Sequence, residues 1–449
     1  MVEALYTADE MRAAEQGHDV DELMERAGHA VAEVVLARYE SARSIAVVCG
    51  GGANGGDGKI AARVLEKSGR SVTVVDAKAQ DGRADLGDQE LVVDALFGTG
   101  FSGEPRAAAA QLIARMNDAS APVVSVDIPS GVDASSGEIA GTAVRAAHTV
   151  TFHGQKVGLA VAPGRFYTGR VVVVDIGLEP AETEHALVTQ EILRRVPHRG
   201  PGDNKYTAGS VLVVGGSPGL TGAACLAAEA AFRADAGYVT VAAPAEALQV
   251  IETRLLEAVK RPLEDVWDAV GRAGALALGP GLGRSAERQE LVRRLLEETD
   301  LPAVVDADGL FGLEPFERSG PTVLTPHAGE LAGLIGEASS WVDAHRLEAA
   351  RRAAERFGCV VLLKGADTLV AAPGRGVLVR PVNTHALATA GTGDVLTGIV
   401  AAFLAKGLDA RTAAAAAATA HGVAASLVPE QAGLIASDVI AALPRALER

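Results

Sequence analysis

Ala390-Gly-Thr-Gly-Asp-Val-Leu-Thr-Gly398 runs without a break into the apolar stretch 399–405. Glycines on either side of a threonine, set just ahead of an apolar helix, form a nest of backbone N–H groups at a helix N-terminus. Such a nest suits the oxygens of a transferring phosphoryl group. Asp394 then falls in the first helical turn, where it can take a proton from a hydroxyl. An Asp at a helix start is by default a cap. The glycines before it and the apolar run after it favour a phosphoryl-transfer site.

Working outward, short Val/Ile/Leu runs alternate with Ala-rich helical stretches. In the second half the runs are 211–215, 238–242, 275–278, 303–305, 322–325 and 360–364. Two more, 368–372 and 377–381, flank a Pro-Gly turn and read as a hairpin. In the first half the runs are 45–49, 72–76, 91–96, 123–128, 149–152 and 171–176, with helical segments such as 60–68 and 107–117 between them. Continuous apolar runs alternating with helices indicate βαβ units and a mostly parallel sheet. The stretch 196–209, VPHRGPGDNKYTAG, is rich in Pro, Gly and polar residues and reads as a linker or domain entrance. No short-period repeat is visible, so two α/β domains in tandem are expected.

The bulk numbers agree. A chain of 449 residues exceeds the roughly 250–300 residues of one ordinary core. A hydrophobic fraction of 48% argues against disorder, and aromatics at only 4% suit sheets under Ala-rich helices. The formal net charge of −16 disfavours nucleic acid and anionic membrane as partners. Cys49, Cys225 and Cys359 are far apart and odd in number, which reads as buried thiols in a reducing compartment. The opening MVEALYTADEMRAAEQ has no signal-peptide core, and no long apolar run follows. A cytoplasmic location is expected.

Three polar loops of the first half sit at strand ends. The first is Cys49-Gly-Gly-Gly-Ala-Asn-Gly-Gly-Asp-Gly58. Alone it would be no more than a tight strand-to-helix turn, and it fails the usual dinucleotide fingerprint. The second is Val93-Asp94-Ala-Leu-Phe-Gly-Thr-Gly-Phe-Ser-Gly-Glu104, and the third is Val126-Asp127-Ile-Pro-Ser-Gly131. Loops at the carboxyl ends of parallel strands converge on one crevice. A lone Asp at a strand end is usually a cap, but three such loops in order favour a site.

This order of motifs resembles the NAD(P)HX epimerase family over residues 1–195, including ADEMRAAEQ, LMERAGHAVAE and FHGQKVGLAVAPG around Lys156. The resemblance implies that Ala53, Asn54, Gly55, Gly56 and Asp57 hold substrate. It likewise implies substrate contacts from Gly98, Thr99, Gly100, Phe101, Ser102, Gly103, Glu104 and Asp127. A potassium ion would be bound by Asn54, Asp94 and Ser130. Ala53 departs from the family, which usually has a second Asn there, so one side-chain contact is lost. Epimerisation requires a hydroxyl to leave one face of a carbon and return on the other. A buried carboxylate such as Asp127 can shuttle the proton.

The second half, about residues 200–449, resembles the ribokinase-like superfamily through its GTGD motif. It resembles the ADP-dependent NAD(P)HX dehydratases through four further motifs. These are Val213-Val-Gly-Gly-Ser217 with Leu220-Thr-Gly-Ala-Ala224, Gly279-Pro-Gly-Leu-Gly283, Thr325-Pro-His-Ala-Gly-Glu-Leu331 and Lys364-Gly-Ala-Asp-Thr368. A lone His327 would be a turn or core histidine and a lone Lys364 a solvated lysine; the surrounding motifs reverse those odds. The resemblance implies that Ala224, Gly283, His327 and Asp394 face the hydrated cofactor. Lys364, Gly365, Ala366, Asp367, Thr368 and Gly393 would face ADP, with Mg²⁺ assisting. Asp235, where a small residue is usual, is a second departure and is expected to touch packing near the site.

The fold expectation is therefore two tandem three-layer α/β/α domains, Rossmann-like over 1–198 and ribokinase-like over 199–449. The activity expected is epimerisation of R and S NADHX and NADPHX, then ADP-dependent dehydration of the S form to NADH or NADPH, AMP and phosphate. Small molecules are the expected partners, and the chain is expected to form a homo-oligomer. The competing readings are a ribokinase-type kinase acting on a hydroxymethylpyrimidine or thiazole alcohol, and a cofactor-binding or interaction protein whose first domain has lost activity.

Overall fold

The structure is a computed structural model that describes residues 2–77, 86–382 and 384–448. Two compact units emerge. The first holds Ala4–His185 and Asp343–Leu347; the second holds Ala186–Val342 and the chain from Glu348 onward. The division falls ahead of the Pro/Gly-rich stretch 196–209 because strand Ala186–Val188 pairs in parallel with Leu378–Pro381 of the second unit.

The first unit is built on a parallel six-stranded sheet. Its order is Ser71–Asp76, Ser44–Cys49, Leu91–Ala95, Val123–Val126, His148–Phe152 and Arg170–Val174. Successive side chains point to opposite faces. Ile45, Val47 and Cys49 pack under helices Val20–Arg38 and Ala53–Lys67, while Ala46 and Val48 meet Leu112, Ile113 and Met116 of helix Ala107–Asp118. Both faces of the inner strands are buried, which is why these strands read as unbroken apolar runs; the edge strands Ser71–Asp76 and Arg170–Val174 are partly open. Ser71–Asp76 and Leu91–Ala95 lie on opposite sides of Ser44–Cys49. The loops after Cys49 and Ala95 therefore part there, leaving the crevice where open α/β sheets bind ligands.

The second unit repeats the plan. Val259–Pro262, Tyr238–Ala243, Ser210–Val214, Ala275–Leu278, Ala303–Val305, Thr322–Leu324 and Val360–Leu363 pair in parallel in that order. The expected hairpin follows as antiparallel Asp367–Ala371 and Leu378–Pro381. Helices Thr221–Arg233, Thr392–Ala405, Ala410–Leu427 and Ala436–Leu447 cover one face over Val211, Val213, Val241 and Ala277. Leu212 and Leu276 point the other way and are also fully buried, so that face is covered too. Alanine dominates these helices because small side chains let helix and sheet approach closely. Strands Val2–Tyr6, Val259–Pro262 and Ala186–Val188 were not foreseen, since none forms a long apolar run. No helix among the described residues is long and apolar enough to cross a membrane.

Candidate active sites

The first crevice is a cavity of about 490 Å³. Ala53, Asn54 and Asp57 line it from the start of helix Ala53–Lys67, and Gly98, Thr99, Gly100 and Phe101 from the loop after Leu91–Ala95. Asp127 enters from the third loop, and Met11, Glu15 and Lys156 complete the polar and apolar wall. The tight strand-to-helix turn needs its glycines. A Cβ on Gly55 would sit 2.0 Å from the carbonyl oxygen of Gly50. Gly55, Gly56, Ser102, Gly103 and Glu104, all expected substrate contacts, are not part of that wall.

Asp94, Ser130 and Asn54 knit the three loops together at its base. Ser125 and Ser130 hydroxyls donate to Asp94 at 2.8 and 2.6 Å, and the Ser130 and Leu96 amides donate at 2.9 and 3.2 Å. Burial pushes the Asp94 carboxyl above its ordinary pKa, and these bonds oppose the shift. Asn54 donates to the Phe97 carbonyl at 2.8 Å, while its Oδ1 is buried with no hydrogen-bond partner among the described residues. An orphaned buried oxygen costs about 1–3 kcal/mol. Beside the Phe97 carbonyl and the Ser130 hydroxyl it makes an oxygen-only donor set, the class that holds hard cations.

Asp127 adopts φ 65°, a left-handed conformation unusual for a residue with a side chain. It caps no helix. Its Oδ1 lies 2.6 Å from the Lys156 ammonium and accepts from Thr151 at 3.2 Å; its Oδ2 accepts from the Thr99 amide at 3.1 Å. Lys156 is 1% exposed. Breaking a buried pair of this kind costs about 3–5 kcal/mol. Nearby Asp57 has no such cation. Burial, then Asp127, then Glu15, pushes its carboxyl up to about 8, so one carboxyl of the cavity carries a proton at neutral pH.

In the second unit Gly215, Gly279, Asp306, Thr325 and Lys364 each directly follow a parallel strand, at its carboxyl end. The first two loops interlock: Gly216 and Ser217 amides donate to the Pro280 and Gly281 carbonyls at 3.0 and 2.7 Å. The Gly283 amide, in turn, donates to Asp308 at 2.9 Å.

Helix Thr392–Ala405 begins with Gly391 as its cap at φ 87°. A side chain there would meet Leu226 at 2.7 Å and strain the backbone. Because Gly391 takes the cap position, Asp394 in the first turn is not the cap. Burial, then Asp306, pushes Asp394 up to about 7, with Lys364 opposing and Asp308 and Glu330 adding to the rise. Lys364 donates to Asp306 Oδ1 at 2.7 Å and lies 3.8 Å from Glu330. The Thr397 hydroxyl donates to Asp306 Oδ2 at 2.6 Å and to the Gly393 carbonyl at 3.1 Å. Lys364, Asp306, Thr397, Gly393 and Asp394 therefore form one cluster.

His327 caps helix Ala328–Ile335. Its Nδ1 accepts from the Gly329 and Glu330 amides at 3.0 and 3.2 Å, and the His327 amide donates to the Glu330 carboxylate at 2.9 Å. Asp367 and Thr368 are buried in the first strand of the hairpin, and Ala224 is fully buried near the start of helix Thr221–Arg233. Asp235 does not touch the site. It follows the far end of that helix, roughly 16 Å from Ala224 at 1.5 Å per residue, and binds Arg199 and Lys406 at 2.6 and 2.7 Å.

Sequence reasoning missed Lys156 as a partner of Asp127, and missed Asp306, Thr397 and Glu15. Asp306 had a signal, since it ends an apolar strand as Asp94 and Asp127 do. Lys156 offered only a lysine inside an otherwise apolar run.

Residues 211–445 match the family model described as NAD(P)H-hydrate dehydratase, and residues 20–86 and 76–158 match that of the YjeF-related protein N-terminus. The chain is 38% identical to the bifunctional NAD(P)H-hydrate repair enzyme of Moorella thermoacetica, covering 95% of this chain and 92% of that protein. It is 33% identical to the corresponding enzyme of Escherichia coli, covering 98% and 93%. Among solved structures, an ADP/ATP-dependent NAD(P)H-hydrate dehydratase from Bacillus subtilis, co-crystallised with ATP and Mg²⁺, superposes with a TM-score of 0.54 at 31% identity. That match covers 58% of this chain and 97% of the other. With a dehydratase model over half its length and relatives matched end to end, the chain belongs to the family of bifunctional NAD(P)H-hydrate repair enzymes.

Proposed function

We propose that the first unit interconverts the R and S epimers of NADHX and NADPHX, and that the second dehydrates the S epimer at the expense of ADP. The activities are assigned to residues 1–198 and 199–449. The observation that carries the reading is Asp394, raised to about 7 behind the Gly391–Gly393 nest and beside Lys364. A base poised near working pH takes the proton of the hydrated ring's 6-hydroxyl as that oxygen attacks the β-phosphoryl of ADP. The Gly391, Thr392 and Gly393 amides and the Lys364 ammonium hold the developing charge. Phosphate is a far better leaving group than hydroxide, so the ring nitrogen then expels it to give the iminium, and loss of a proton from the neighbouring C5 to water restores the dihydropyridine.

Lys364, Gly365, Ala366, Asp367, Thr368 and Gly393 are assigned to ADP, and Ala224, Gly283, His327 and Asp394 to the hydrate. Asp306, Asp308 and Glu330 around Asp394 carry more negative charge than Lys364 offsets, which fits Mg²⁺. When bound, the ion neutralises phosphate charge. In the first unit Asn54, Asp94 and Ser130 are assigned to K⁺, whose charge would hold the three loops together. Asp127 is assigned the proton shuttle. The working form is assigned to the cytoplasm as a homo-oligomer.

The test is direct. Enzyme, ADP and S-NADHX should regain the reduced-nicotinamide absorbance with one AMP and one phosphate released per NADH. A kinase acting on a hydroxymethylpyrimidine or thiazole alcohol would instead phosphorylate that alcohol and leave NADHX untouched.

A further inference from the structure

Lys156 lies at the entrance of the short helix Val157–Ala160 and is almost wholly buried, yet it lines the first cavity. An ammonium has three N–H bonds. All three are engaged: with Asp127 Oδ1 at 2.6 Å, the Thr151 hydroxyl at 2.9 Å and the Phe152 carbonyl at 2.9 Å. None is left to bind a ligand or to deliver a proton without breaking this set. Thr151 also donates to Oδ1, so both of these side chains act on the same carboxylate oxygen. Among the described residues Oδ2 has one partner, the Thr99 amide of the glycine-rich loop. A carboxylate oxygen can accept more than one bond, so Oδ2 keeps acceptor capacity toward the cavity that Asp127 lines.

We infer that Lys156 is the positioning residue of the epimerisation: it locks Asp127 Oδ1 and offsets the buried charge, so that Oδ2 alone handles the proton. The inference rests on the epimerase reading of this unit. Oδ2 of the buried ion pair takes a proton from water as the hydrate binds and passes it to the departing hydroxyl. The C–O bond breaks, water leaves, and the ring-nitrogen lone pair forms the iminium. Water adds to the other face, the new C–O bond forms, and its surplus proton returns to Oδ2. Atoms, electrons and charge balance, and only the configuration at the carbon changes. A flipping carboxylate could not do this reliably. Fixing Oδ1 on Lys156 and Thr151 keeps Oδ2 aimed at the ring.

The test uses the full chain with ADP and an R/S NADHX mixture, following the R epimer after the S form is consumed. Lys156→Ala and Lys156→Met should each lower kcat for R clearance by about 10²-fold or more while KM changes little. Ethylammonium should restore the Lys156→Ala protein by about tenfold, part of the loss that one buried ion-pair partner accounts for. It should do nothing for Lys156→Met, whose side chain fills the space. S-epimer consumption and the thermal midpoint report folding. Where the alanine protein does not fold, the methionine protein decides through its kcat. Wild-type kcat in Lys156→Met would assign the residue to packing and overturn the inference. So would a rise in KM at unchanged kcat, or a folded alanine protein deaf to the amine. A wild-type chain that never clears the R epimer would sink the epimerase reading itself, a result visible before any variant is made.

Discussion

Each unit sets a lysine on an aspartate at the carboxyl edge of a parallel sheet, and each adds a threonine hydroxyl to the same aspartate. Lys156 meets Asp127 at 2.6 Å with Thr151 beside it; Lys364 meets Asp306 at 2.7 Å with Thr397 beside it. The exposures differ. Lys156 is 1% exposed, whereas Lys364 is 20% exposed and lies 3.5 Å from where a Gly393 side chain would stand. Burial works against the Lys364 charge, but Asp306 and Glu330 outweigh it and raise its pKa. On the function proposed above, the aspartate of the first unit does the chemistry while its lysine is fixed, whereas the aspartate of the second holds the lysine and a separate carboxyl, Asp394, is the base. Moving a proton needs an aimed carboxylate; moving a phosphoryl group needs a positive charge at an open nest.

The sharpest way to break this contrast is at Asp394. Asp394→Asn should cut dehydration by about 10²-fold or more, with ADP binding retained in calorimetry. The wild-type rate should climb as pH rises through about 7, the value to which burial and Asp306 push the carboxyl, because only the ionised form accepts a proton. Turnover near wild type in the variant, or a rate indifferent to pH from 6 to 8, would remove Asp394 from the base role.

The same change in the other unit should spare dehydration. Asp127→Asn should leave the S epimer reacting at its usual rate and the R epimer disappearing only at its uncatalysed rate, followed by chromatography. If Asp127 were structural, the biphasic course would be unchanged and the loss confined to stability. The comparison would then rest on the second unit alone.

How much of this was legible follows from the same contrast. The inner strands and their loops were readable because they are buried on both faces and their runs are continuous, as 45–49 and 211–215 are. Asp94 and Asp127 were readable because each ends an apolar run ahead of a glycine-containing loop, and Asp394 because glycines precede it and an apolar helix follows. Lys156 was not, because a lysine's burial depends on a strand, His148–Phe152, and a loop that meet only in the fold. Thr397 looks like one more helix residue until Asp306 arrives from a distant strand. Asp enters the left-handed region more readily than most residues, yet residue type alone does not single out position 127. His327 was readable as part of a motif, but its capping of Ala328–Ile335 appears only once the helix start is placed.

The smallest expected effect is on stability, at Asp57. Its carboxyl is pushed from the ordinary 3.8 up to about 8 by burial, Asp127 and Glu15. The folded state therefore keeps a proton that the unfolded chain releases. For a group raised in this way, the stabilising contribution is fully present below the unfolded value, is lost as pH rises, and is gone once pH passes about 8. Asp57→Asn removes that titration and supplies a neutral side chain of the same shape. The difference in thermal midpoint, variant minus wild type, should therefore grow between pH 5 and pH 9, by roughly 2–4 °C for each kcal/mol relieved in a unit of this size. The measurement belongs in buffer without added potassium, since a cation held at Asn54 would favour the ionised carboxyl nearby. Asp394 makes the comparison, because Lys364 opposes its rise and Asp57 has no cation among its causes. Asp394→Asn should show the same sign with a smaller growth over that range. If the midpoint difference for Asp57→Asn is constant with pH, the carboxyl is ionised throughout, and the first cavity has no neutral acid to set beside Asp127.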